Sequence, residues 1–327
     1  MDLVLLAVAA VWGGATGLLI PRAAYRFAVE PEEPWRTTCP AGHAFTGPFG
    51  GWWGPARCTP CASRVQTSVR YGDEAEAPVA YGEETEAPAP QGEETEAPVP
   101  HGDKADAPAR HGDKADAPAR HGDKADAPAP YGDPPPTPHG DKPPAPLPYA
   151  PGTLAPLVTV LACLALAAAT GPRPELAAWL LLAPPAVLLA TVDRRVHRLP
   201  DPLTLPLAAA AVLFLGGAAL LPGHAGSWTS GLLGGLVLGG FYLLLFLINP
   251  NGMGFGDVKL ALTLGVALGW YGWEVLFLGG FAGFLFGAAY GLGLVLLRRA
   301  GRKTGIPFGP FMIAGALTGV LLGALAA

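Results

Sequence analysis

The sequence predicts an all-α polytopic membrane protein with about eight transmembrane helices, a small soluble module after the first of them, and a disordered linker. Three observations carry that prediction. Half of the 327 residues are apolar, and from Pro151 to the end they follow one another in long runs, several of them approaching the roughly 20 residues a helix needs to cross a bilayer. Three cysteines and a histidine crowd into a short polar segment near the N-terminus. Between that segment and Pro151 lies a proline-rich tract almost free of large apolar side chains, which cannot bury enough surface to fold.

The first apolar run, Leu3 to Ile20, is expected to be a permanent helix rather than a cleaved signal. No basic residue precedes it, and no small-x-small cleavage site follows before a secreted domain. Arg22 and Arg26 flank it, closing a first segment of residues 1–22.

Residues 23–70 form the module. Cys39-x3-His43 and Cys58-x2-Cys61 offer three sulfurs and one imidazole on two turns, a set that suits a closed tetrahedral zinc site and leaves no open position for chemistry. Free thiols or a disulfide are the alternative. The metal would fold a segment too small to build its own core. Cys163 stands alone in an apolar run and is expected to serve packing.

Residues 71–150 are the linker. Up to Pro130 it repeats a decapeptide, from YGDEAEAPVA through HGDKADAPAR, with Gly second and Pro eighth. Such a unit has no face to stack, so a solvated spacer of roughly 50 Å average span is expected rather than a solenoid. Its histidines are read as solvated.

The membrane domain, residues 151–327, holds apolar runs at Leu154–Thr170, Ala177–Val192, Leu203–Leu221, Gly231–Ile248, Val258–Trp270, Val275–Leu297 and Ile306 onward. Trp179, Trp228, Trp270, Tyr271 and Trp273 fall near span ends, where amphipathic rings prefer the interface. Arg194, Arg195, Arg198 and Lys259, then Arg298, Arg299, Arg302 and Lys303, lie at one side of the bundle, and only Arg173 at the other. The positive-inside rule makes the charged side cytoplasmic, together with residues 23–150. In that reducing compartment a cysteine pair is better suited to metal than to a disulfide. Most of the acidic residues behind the net charge of −5 sit in the linker and most of the basic ones lie elsewhere, and no basic patch interleaved with aromatics points to nucleic acid.

Five acids lie in or beside the membrane runs. Glu175 and Glu274 read as solvated loop residues on the outer side, and Asp201 before Pro202 as a helix N-cap. Asp193 and Asp257 remain. Asp193 ends the third span, where the helix dipole disfavours a carboxylate. Asp257 follows three glycines in five residues and precedes Lys259. Its bland reading is a cap for the sixth span, but the topology puts both aspartates at the same end of the bundle. Two facing carboxylates in a poorly solvated site share a proton, so one activates water while the other donates to a carbonyl. No serine triad and no His-Glu-x-x-His signature is present.

At these residues the chain resembles the type IV prepilin leader peptidases, membrane aspartic peptidases of the Gly-x-Gly-Asp kind. The likeness rests on Asp193 through Asp201 with Leu203-Thr204-Leu205-Pro206, on Gly252 through Leu260 with Gly254, Gly256, Asp257 and Lys259 in place, on Ile306-Pro307-Phe308-Gly309-Pro310-Phe311, and on the paired metal-ligand module. It implies that Asp193 and Asp257 are a catalytic pair that removes the leader from prepilin-like or pseudopilin precursors, the apolar substrate helix docking among the spans. Many relatives also methylate the new N-terminus with S-adenosylmethionine. The family pattern has four cysteines in two Cys-x2-Cys pairs, and His43 replaces one of them here, so methyl transfer stays open. Other classes are a transporter or channel using the two aspartates as an ion relay, and a membrane scaffold whose spacer recruits partners.

Overall fold

The computed structural model describes residues 3–30, 33–52, 54, 58, 60–61, 152–250, 252–297 and 306–327. The linker expected at 71–150 and the cluster Arg298, Arg299, Arg302 and Lys303 lie outside them. All described residues belong to one unit, Met1–Glu74 together with Pro146–Ala327.

The elements are α1 (Leu3–Gly17), α2 (Ile20–Phe27), α3 (Pro48–Gly51), α4 (Leu154–Thr170), α5 (Glu175–Val196), α6 (Asp201–Ala219), α7 (Trp228–Ile248), α8 (Phe255–Gly269), α9 (Trp273–Leu296) and α10 (Gly309–Ala326). Among the described residues the only β pairing is a single bridge, Thr38 to Ala44. Six of the expected eight spans are helices long and apolar enough to cross a membrane: Leu3–Phe27, α5, α6, α7, α9 and α10. The other two are shorter. α4 has 17 residues and α8 has 15, and at 1.5 Å per residue α8 reaches only about 22 Å. It is buried along almost its whole length, because α6, α7, α9 and α10 enclose it.

Large apolar side chains cover the outside of the bundle, as the lipid-facing Phe277, Phe281, Leu292 and Leu296 of α9 show. Where helices meet, small residues replace them. A Cβ on Gly234 of α7 would lie 2.6 Å from the carbonyl oxygen of Gly265 on α8, and one on Gly265 would lie 2.5 Å from that of Gly234. The two backbones therefore touch directly, as in other small-residue membrane interfaces. Cys163 is fully buried in a small cluster with Ala9, Ala167 and Leu176, a packing role.

Three expectations change. Asp201 does not cap α6: the N-cap is Pro200, without a side-chain cap bond, and the Asp201 carboxylate instead pairs with Lys259 at 2.6 Å. Glu175 is not solvated but 0% exposed, because the loop before α7 folds back and the amide of Ala225 donates to its Oε1 at 3.2 Å. Trp179 and Trp270 are buried in the main core rather than at the lipid interface, although Trp228 and Trp273 are exposed as expected. Arg22 and Arg26 are buried too. Arg26 lies 3.8 Å over the Trp52 ring and Arg22 4.6 Å over Phe45, so these flanking charges are held by aromatic faces of the module.

Candidate active site

Asp193 lies in the last turn of α5, and the chain leaves that helix through His197 in the left-handed conformation, φ +51°. His197 donates its backbone N–H to the Asp193 carbonyl at 2.8 Å. This sharp exit carries Leu199 inward. Leu199 meets Gly256, where an added Cβ would stand 2.8 Å from the Leu199 Cβ. The absence of a side chain at Gly256 thus lets the start of α8 sit against the segment that follows Asp193, and the next residue is Asp257.

The structure buries both aspartates at neighbouring helix ends. Asp193 is 4% and Asp257 9% exposed, and they are close enough to interact electrostatically. Neither acts as a side-chain helix cap. The N-cap of α8 is Gly254, with no side-chain cap bond. Asp257 keeps the backbone bond from its own N–H to the Gly254 carbonyl, at 3.0 Å.

Two supports were not legible as such in the sequence. The backbone N–H of Gly309, at the first residue of α10, donates to Asp193 Oδ2 at 2.9 Å. A Cβ at Gly309 would lie 2.8 Å from that same oxygen, so the Pro-Phe-Gly-Pro block places a helix N-terminus and its only side-chain-free position on the carboxylate. The second is Tyr242 of α7, buried beside Asp257. Its ring stacks on Phe284 at 5.6 Å and leans on Phe308 at 6.2 Å, and Phe308 is the N-cap of α10. The tyrosine beside Asp257 therefore packs on the residue that precedes Gly309, the donor to Asp193. The block was recognisable only as a pattern; a buried tyrosine in an apolar run gave no signal.

The motif residues separate into distinct uses. Gly256 permits close approach. Gly254 does not, since a Cβ there would make only an ordinary 3.6 Å contact with Asp257 Oδ2. Lys259 points to Asp201, with its ammonium also 4.9 Å over the Phe255 ring, and so ties the start of α8 to the start of α6.

The module gathers the four predicted ligands, Cys39, His43, Cys58 and Cys61, with all four ligand atoms within 4.8 Å of one another. A hairpin builds the first pair: Cys39 donates its N–H to the His43 carbonyl and Gly42, at φ +80°, makes the turn. His43 Nδ1 lies 3.5 Å from Cys39 Sγ and 3.3 Å from Cys61 Sγ, and the two sulfurs are 3.9 Å apart. A tetrahedron of 2.3 Å metal–sulfur bonds has edges of about 3.8 Å, so the group is spaced to hold a metal ion.

Residues 178–292 match the type IV leader peptidase family. Curated relatives named prepilin leader peptidase/N-methyltransferase include one from Aeromonas hydrophila, 39% identical over 163 residues, covering 49% of this chain and 54% of the relative. The relative from Pseudomonas aeruginosa is 36% identical over 143 residues, 41% of this chain and 46% of the other. That from Bacillus subtilis is 35% identical over 97 residues, 30% and 38%. The chain thus spans about half the length of the curated relatives it matches. No solved structure matches it with significance. The stretch that holds both buried aspartates is the stretch this chain shares with the type IV leader peptidase family.

Proposed function

We propose that the chain is a membrane aspartic endopeptidase that cleaves the leader from type IV prepilin-like or pseudopilin precursors, with Asp193 and Asp257 as the catalytic pair. The observation that supports it best is the burial of two carboxylates, from separate helix ends, within electrostatic reach of one another. Two such groups cannot both ionise easily, so the pair holds one proton near neutral pH. The ionised member takes a proton from water as the water oxygen attacks the scissile carbonyl carbon. The protonated member donates to the carbonyl oxygen. Collapse of the tetrahedral intermediate then breaks the C–N bond, and the amine leaves with a proton from the pair.

The loop arginines favour the cytoplasmic membrane face for this site. The apolar substrate helix docks among the spans, while its basic leader stays in water. Zinc is the metal that suits three thiolates and one imidazole, and with all four positions filled by protein it would hold the module's fold and supply no reacting group. Methylation of the new N-terminus with S-adenosylmethionine is carried only by the relatives' names.

The test is co-expression with a prepilin. Asp193→Asn and Asp257→Asn are each expected to abolish leader cleavage while both proteins still insert in the membrane. Full cleavage by either variant would refute the assignment. An ion relay predicts instead that both variants lose a proton or cation flux in vesicles without any change in cleavage.

A further inference from the structure

An apolar groove of about 520 Å³ runs along the bundle between α4, α5, α8 and α10. Its walls are small and aliphatic, among them Val158, Ala162, Ala186, Ala190, Ile313 and Leu317. Along α10 it extends from Pro310 to Val320, about 15 Å at helical rise. One end is different: there Arg194 and Arg195, in the last turn of α5, line the groove beside Gly152 and Pro21.

That end is cationic, and no ion pair compensates it among the described residues. Arg195 Nη1 is buried with no hydrogen-bond partner among the described residues. The charges that bear on Arg195 are those of Arg36 and Arg194, both of its own sign. Among the described residues the only ion pair is Lys259 with Asp201, so none of the carboxylates described there is paired with Arg194 or Arg195. Like charges gathered at the end of an apolar slot call for an anion with an apolar tail.

We propose that the groove is a binding site for an anionic phospholipid, whose acyl chains fill it and whose phosphate is held by Arg194 and Arg195. Charge separates this occupant from a substrate helix: a basic leader would bring further cations to a mouth that already carries Arg194 and Arg195, whereas a phosphate relieves them. The groove is walled by α5 and α10, the helices that carry Asp193 and its Gly309 donor. A lodged lipid therefore braces the contact that orients one carboxylate. The site stands whether or not the chain cleaves prepilins.

The experiment uses the full-length chain, delipidated in neutral detergent and followed by native mass spectrometry. Dioleoyl-phosphatidylglycerol is expected to stay bound at collision energies that strip dioleoyl-phosphatidylcholine. An R194Q/R195Q variant should lose at least fivefold of the phosphatidylglycerol occupancy, and R194K/R195K should keep it. Ala314→Trp, which fills the groove and leaves the arginines, must lose phosphatidylglycerol as well, and this arm decides if the glutamine pair fails to fold. Equal retention of the two lipids, undiminished binding by R194Q/R195Q or by Ala314→Trp, or equal binding of glycerol 3-phosphate alone would overturn the proposal. So would a photocrosslinker at Leu317 that captures a co-expressed prepilin in place of lipid.

Discussion

Substituting Gly309 by alanine isolates the geometry of one carboxylate from the stability of the bundle. The added Cβ would stand 2.8 Å from Asp193 Oδ2 and 3.3 Å from its Cγ, and no backbone atom is among its nearest neighbours. Gly309 lies in helical conformation at the start of α10, so alanine brings no backbone strain. What must give is the end of the Asp193 side chain, which can rotate away at little cost to the fold. Rotation breaks the 2.9 Å bond from the Gly309 N–H. A hydrogen bond to a charged group is worth about 1.5–3 kcal/mol, and a catalytic group misplaced by about 1 Å loses on the order of 100-fold in rate. Both routes point to a fall in kcat of about 10–100-fold. KM should hold within about threefold, since the substrate helix does not depend on that oxygen. The assay is leader release from a purified prepilin in detergent, with a thermal melt as control. Unchanged kcat in a folded protein would refute the reasoning, and so would a loss of activity that merely follows a large drop in melting temperature.

At Gly256 the obstacle is different, because an alanine Cβ meets both the side chain and the backbone of Leu199. Gly256→Ala should lower stability as well as cleavage, and Leu199→Ala added to it should restore neither, because alanine keeps the Cβ and backbone atoms that stand in the way; recovery in the double mutant would place the obstacle further out along the leucine side chain. Cys58→Ser should cut the zinc content measured by elemental analysis and reduce protease resistance of the N-terminal segment, whereas a metal-free wild-type protein would end the tetrahedral reading. Lys259→Ala is expected to change cleavage by less than about threefold, since its partner Asp201 is 59% exposed and an exposed pair contributes roughly 0–1 kcal/mol. A loss comparable to that of Asp257→Asn would give the lysine a part in the chemistry.

Hydropathy alone located the apolar helices among the described residues, six of them rather than eight long enough to cross a membrane, and the α4 boundaries, Leu154 and Thr170, match the expected run. The reason is local: an apolar run reports its own burial in lipid or protein. What could not be read was set by contacts distant in sequence. Glu175 looked like a loop acid because nothing near it announces that the amide of Ala225, fifty positions away, will cover it. Asp201 beside a proline reads as a cap until Lys259 arrives from another helix. The aspartates could be assigned to one end of the bundle from loop charges, yet their approach depends on the φ of His197 and on the missing side chain at Gly256. Gly309 and Tyr242 show the same limit, since a donor N–H and a stacked ring leave no mark on composition.

The glycine seam between α7 and α8 also constrains how this molecule can move. Where Gly234 and Gly265 meet backbone to backbone, there is no layer of side chains whose rotamers could absorb sliding or rotation, and packed interfaces of that kind deform little. Tyr242 on α7 and Asp257 on α8 must therefore travel as one body. On the proposed function, an opening that admits a peptide comes from the other side, by displacement of α5 or α10 against that pair, which makes Asp193 the mobile half of the proposed site and Asp257 its fixed reference.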